Sequence, residues 1–169
     1  MALQLYKIAT VEVGSAGAST IDFTSIPQGY TDLKLVVSAR TSNAANGNSL
    51  RLKVNSITTG YTVRGLRGDG STASSFTDTG STYFAGVTNA ASGTTLTFSN
   101  IEIYIPNYSG STNKSLSVDS ARENNTTAAD LYLLAGLLSN TAAITSLTLT
   151  PETTANWVEY STATLYGIL

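Results

Sequence analysis

Apolar and polar residues alternate along most of this chain with a period of two, the mark of a half-buried strand. Leu50 to Asn55 is the clearest case: Leu50, Leu52 and Val54 take one face, Arg51, Lys53 and Asn55 the other. Leu33, Leu35, Val37 and Ala39 likewise oppose Lys34, Ser38 and Arg40. The same reading predicts strands over 3–13 (Leu5, Ala9, Val11 and Val13, interrupted by Lys7), 21–23, 61–66, 83–87, 115–122 and 144–149. The stretch from Trp157 to Leu169 is rich in Thr, Tyr, Val and Ile and is predicted to pair inside a sheet.

Three segments read less simply. Over 96–108 the phase slips: Leu96 and Phe98 share one parity, Ile101, Ile103 and Ile105 the other. A β-bulge at Ser99-Asn100 would produce that slip. Gly65 to Gly80 contains four glycines and is predicted to be a long loop, functional or mobile. Over 130–138, Leu131, Leu134, Leu137 and Leu138 have helical spacing, with Thr127 and Asp130 resembling a capping box. Leu131, Leu133, Ala135 and Leu137 also alternate, and nine residues are short for a helix, so a strand is preferred. Gly and Ser clusters, together with Pro27 and Pro106, separate the segments. About ten strands near twelve residues apart predict an all-β, antiparallel β-sandwich of 8–10 strands in one domain, 1–169. That number favours a jelly-roll-like arrangement over an immunoglobulin fold, whose Cys-Trp-Cys set is absent.

Composition narrows the chemistry. Charged residues make up 12% of the chain, while Thr and Ser number 27 and 21, which suits sheets with short polar loops better than helices. A net charge of -2 lacks the basic stripe of a nucleic-acid binder. No apolar run approaches a membrane span. Met1 to Lys7 has no signal-peptide organisation, so synthesis in a cytoplasm is expected. With no His and no Cys, catalytic triads, thiolate chemistry and the usual zinc sites are excluded, and no cofactor is expected.

The remaining enzymatic route is a carboxylate pair of the glycosidase kind, but Glu102, Asp119, Glu123, Glu152 and Glu159 lie in no motif that pairs them. Arg67-Gly68-Asp69 is an RGD tripeptide, the form of an integrin ligand on an exposed loop; without a secretion signal or disulfides, a glycine-rich turn that happens to carry Arg and Asp is strongly preferred. Asp69 and Asp78 fall short of the ligand set of a calcium site. Sequons at Asn107, Asn113, Asn124 and Asn125 are what an Asn-, Ser- and Thr-rich chain shows by chance. The nine tyrosines serve either as a sugar-stacking platform or as cross-strand packing, and packing is preferred. Arg64, Arg67, Tyr83 and Phe84 flank the glycine-rich stretch and are the interface candidates, Arg and aromatics being enriched at interfaces.

Ile26-Pro27-Gln28-Gly29-Tyr30-Thr31-Asp32-Leu33 and Ser161-Thr162-Ala163-Thr164-Leu165-Tyr166-Gly167-Ile168 resemble motifs of small virion proteins of tailed bacteriophages. Ile103-Tyr104-Ile105-Pro106-Asn107-Tyr108, Asn113-Lys114 and Asn140 to Leu147 agree with the same pattern, in the same order, over nearly the whole chain. Leu138 departs from it, standing where the pattern has a Trp. The resemblance implies a β-sandwich, commonly trimeric, that serves as a capsid decoration (cement) protein or as a tail or fibre component. On that basis the expected function is a non-enzymatic decoration protein on the capsid surface of the virion, a homotrimer bound to the major capsid protein. The alternative is a tail or fibre module that binds a cell-surface glycan.

Overall fold

The computed structural model describes residues 4–125 and 129–169. Thr127 of the alternative capping box, the Thr126 and Thr127 of two sequons, and the start of the first strand at Leu3 lie outside them. The described residues contain no helix. Twelve strands follow in order: β1 (Leu5–Glu12), β2 (Ile21–Phe23), β3 (Asp32–Ala39), β4 (Gly47–Val54), β5 (Tyr61–Gly68), β6 (Ala73–Gly80), β7 (Tyr83–Asn89), β8 (Ser99–Ile105), β9 (Lys114–Arg122), β10 (Asp130–Leu138), β11 (Leu147–Pro151) and β12 (Thr162–Ile168).

They form two antiparallel sheets, ordered β1-β12-β3-β8-β9-β10-β5-β6 and β2-β11-β4-β7. Four of the pairings are nested like the rungs of one long ribbon: β1 with β12, β2 with β11, β3 with β8, β4 with β7. The ribbon alternates between the sheets, giving β1-β12-β3-β8 on one side and β2-β11-β4-β7 on the other. This is the jelly-roll wrap. Two hairpins interrupt it, β5–β6 between β4 and β7 and β9–β10 between β8 and β11. Both add to the free edge of β8 and double the width of one sheet. β7 packs against that extension, touching β8, β9, β10, β5 and β6.

The alternation in the sequence builds the core. Leu33, Leu35, Val37 and Ala39 of β3, Leu50, Leu52 and Val54 of β4, and Ile101, Ile103 and Ile105 of β8 all point between the sheets and are buried. Trp157 is fully buried between Ala18 and Thr41, and its indole N–H donates to the Leu149 carbonyl at 3.3 Å. Arg40, expected on the outer face, is buried. Its guanidinium donates to the carbonyls of Ala91, Gly93, Thr94 and Thr97 and so closes the loop ahead of β8.

Several expectations change. The stretch from Gly65 to Gly80 is a hairpin, not a loop: β5 pairs with β6 along its whole length. Asp69 makes the turn, its Oδ1 accepting from the backbone N–H groups of Ser71 at 3.1 Å and Thr72 at 2.8 Å. The two segments 96–98 and 101–105 are not one bulged strand. The β8 registers with β3 and β9 run without a shift, and Leu96 lies in the preceding turn at φ 59°. β11 begins at Leu147, and Ile144 sits buried in the loop before it. Over 130–138 the chain is a strand, β10.

Tyr30, Asp32, Tyr104, Asn107, Tyr108, Lys114, Ile144 and Gly167 of the motifs quoted above meet at one end of the sandwich, while Ser161 lies at the other, bonded to Arg40. The Tyr30 ring lies flat on Gly167, where a Cβ would overlap it. Asp32 accepts from the Asn107 N–H at 2.9 Å and from the Tyr104 hydroxyl. The Tyr108 hydroxyl donates to the Pro27 carbonyl, and the Ile144 N–H donates to the Tyr108 carbonyl at 2.9 Å. Lys114 is fully buried, with its ammonium donating to the carbonyls of Gly110, Thr112 and Thr141. Burial pushes that ammonium below the usual lysine range. These contacts make the motifs joints of the fold.

Candidate functional site: an uncovered leucine face

The eight-stranded sheet has one face against β2-β11-β4-β7 and one face open. Over the jelly-roll half, the open face is mixed: Thr10, Thr164, Lys34, Ser38 and Glu102 share it with Leu5, Val36 and Tyr104. The Thr10 and Thr164 hydroxyls bond across it at 3.0 Å. Over the extension apolar side chains take over. β10 is apolar on both sides: Leu134 and Leu138 enter the core, while Leu131, Leu133 and Leu137 point outward, 62%, 60% and 39% exposed. Leu66 of β5, 59% exposed, stands directly beside Leu133.

Register places the rest. One row runs Val36, Glu102, Asp119, Leu133, Leu66, Ser75 across β3, β8, β9, β10, β5 and β6. The next runs Lys34, Tyr104, Ser117, Ala135, Arg64, Thr77. From Leu131 to Leu137 the ridge is about 20 Å long, and with its neighbours on β9 and β5 it covers about 300 Å². Its apolar part is the β10 leucines with Leu66 and Ala135, a contiguous exposed apolar group of the kind that marks a binding surface. An open trough of about 790 Å³ cuts into it where Ala135 and Gly65 are small, lined also by Arg64, Leu66, Phe76, Ser117 and Leu133.

Charges of opposite sign frame the leucines. On the β5 side stands Arg64, whose guanidinium donates to the carbonyl of its chain neighbour Val63 at 3.3 Å. On the β9 side stands Asp119, directly opposite Glu102. Like charges across a strand pair repel. Lys34 relieves Glu102 at 2.8 Å. Among the described residues neither Arg64 nor Asp119 has an ion-pair partner.

The interface candidates read from the sequence separate. Arg64 belongs to the leucine face. Arg67 has the opposite parity and turns to the other side of the sheet, donating to Asp130 at 3.1 Å, with its guanidinium 6.0 Å from the Tyr132 ring centre. Asp130 also accepts two bonds from Arg122, both at 2.8 Å. Tyr83 and Phe84 are core residues. The Tyr83 hydroxyl donates to the Lys114 carbonyl at 3.0 Å, and Phe84 packs edge-on against Phe76 and Tyr132. Arg67 and Asp69 of the RGD tripeptide are thus both engaged inside the chain. Leu66, Leu131, Leu133 and Leu137 were not among the candidates, and Asp119 was read only as one of the unpaired acids; the signal for the β10 leucines is the run Leu131 to Leu138, apolar at both parities in a chain that otherwise alternates.

The other chemistries find little to build on. Asp78 lies at the far end of β6 from Asp69 and is paired with Arg51 at 2.6 Å. No cluster of three or more acids that could hold a metal ion occurs among the described residues. Two carboxylate pairs come together: Glu102 faces Asp119 across β8 and β9 beside a shallow hollow of about 300 Å³, with Lys34 on Glu102, and Asp78 and Glu152 are both tied to Arg51. Of the tyrosines, Tyr61, Tyr83 and Tyr108 are buried, and the two most exposed, Tyr104 and Tyr160, lie at opposite ends of the sandwich. No family model matches the chain, and neither a curated protein nor a solved structure matches it.

Proposed function

We propose that this chain is a non-enzymatic structural protein that works by association, a capsid decoration protein of a tailed bacteriophage that binds the major capsid protein and stabilises the head. The observation that carries the associative part is the uncovered leucine face. A sheet with apolar side chains on both sides has a second surface to bury, and a ridge of exposed leucines beside an open trough suits a protein partner that covers both. The phage assignment rests on the resemblance of the Ile26 to Leu33 and Ser161 to Ile168 motifs. Hydroxyl-rich strands and a cross-linked sandwich end also suit a protein that must stay rigid on a shell. Many weak copies bound to one lattice gain by avidity.

The test uses particles of the parent phage assembled without this chain. Adding the purified protein should decorate the heads in a fixed ratio, seen by electron microscopy, and raise the temperature at which they release DNA. Binding confined to tails, or heads whose heat resistance does not change on saturation, refutes the decoration reading.

A further inference from the structure

The geometry points to a second copy of this chain as the occupant of the leucine face, packed sheet on sheet about a two-fold axis that runs along β10. The inference rests on the face itself and holds whether or not the protein coats a capsid. Whatever covers this face must bring apolar side chains to the β10 leucines, an anion to Arg64 and a cation to Asp119. A copy of the same sheet turned about β10 stacks Leu131, Leu133 and Leu137 on their counterparts, sets Leu66 over the partner's Asp119 and brings Arg64 one row from that carboxylate. The turn exchanges the β5 and β9 sides, so each copy's Arg64 comes down over its partner's β9, beside the Asp119 that has Glu102 for a neighbour. Neither charge has an ion partner among the described residues of one chain, and both find one in the pair. A single self-complementary patch is the mark of an isologous, two-fold contact; a three-fold ring would need two different patches.

The available area fits. The five strands centred on β10 are β8, β9, β10, β5 and β6. At ordinary strand spacing and rise they offer about 650 Å² on each copy, about 1,300 Å² in all, within the range of specific interfaces. The trough at Ala135 gives the partner's leucines somewhere to enter. An anionic membrane surface is a poorer fit, because Asp119 and Glu102 would face it.

The experiment is sedimentation equilibrium of the full chain across the micromolar range, with circular dichroism to check that each variant is folded. The expected result is a rise from the 17.6 kDa monomer to twice that mass with concentration. R64E and D119R, both on the exposed face, should each weaken the dimer at least about tenfold. The double variant carrying R64E and D119R together should recover to within about threefold of the parent, since the two charges then trade places across the interface and attract again. L133D should be monomeric. A monomer at every concentration, a three-subunit mass, or a dimer indifferent to R64E and D119R each overturns the proposal. Because these readouts involve no phage particle, their failure leaves the decoration test standing on its own.

Discussion

Asp130 is the residue whose loss the structure predicts most sharply. Its side chain is 3% exposed, and it holds Arg122, 7% exposed, through two parallel bonds. Its second oxygen also takes Arg67. Asp130→Ala therefore strands a buried guanidinium without counter-charge. Removing one partner of a buried pair costs about 3–5 kcal/mol. For a domain of this length, each kcal/mol lowers the melting midpoint by about 2–4 °C, so a fall of roughly 6–20 °C is expected. Arg67 adds little, since its head group is 39% exposed and can be hydrated instead. The charge, not the shape, is the cause, and a second variant separates them. Replacing both partners, Asp130→Leu with Arg122→Met, should recover most of the loss, because an apolar pair of similar volume carries no desolvation cost. The assay is guanidinium unfolding followed by Trp157 fluorescence. A single variant that costs under about 1 kcal/mol, or a double variant no better than the single, would refute the reasoning.

Two other outcomes follow from the joints of the fold. Gly167→Ala should cost about 1–3 kcal/mol by driving the Tyr30 ring off the sheet, and Tyr30→Leu in that background should return part of it; equal stability of Gly167→Ala and the parent would mean the ring is free to move. The phenols of Tyr61, Tyr83, Tyr108 and Tyr132 are pushed up chiefly by burial, from an ordinary value of 10.0. Below that value the folded and unfolded chains hold these protons alike; above it the unfolded chain loses them first, so stability falls as pH climbs beyond 10. Absorbance at alkaline pH should therefore show part of the tyrosine signal appearing only as the fold is lost, and a full signal with native circular dichroism would contradict the burial.

What the sequence revealed depended on which faces of each strand were covered. β3, β4 and β8 each bury one face and wet the other, so Leu33 to Ala39, Leu50 to Val54 and Ile101 to Ile105 showed a clean period of two. β6 was invisible because it is an edge strand: Phe76 is its one large apolar residue, and that ring lies over Gly65 of the neighbouring strand. The glycine that looked like loop material is the space the aromatic fills. Leu96 misled by parity alone, since a residue at positive φ in a turn carries no strand phase. β10 looked part helical because leucines occupy both of its faces, and any two-sided apolar strand contains i, i+3 and i+4 pairs. That ambiguity was itself the trace of the site. Tyr83 and Phe84 were named as contact residues because aromatics are common in interfaces, yet they are also common in cores, and nothing local in sequence separates the two.

A nested ribbon folds slowly, because its rungs join residues far apart in the chain, β1 and β12 most of all. The hairpins β5–β6 and β9–β10 carry no such penalty and can close while much of the chain is still being made. The two hairpins, Leu66 on one and the β10 leucines on the other, therefore form ahead of the jelly roll that later shields their inner side. Neighbouring nascent chains on one messenger would display the same half-built sheet at high local concentration. The leucines that join two finished copies are then also the ones that can join two unfinished ones, and the yield of soluble protein becomes a race between wrapping the ribbon and meeting a neighbour too early.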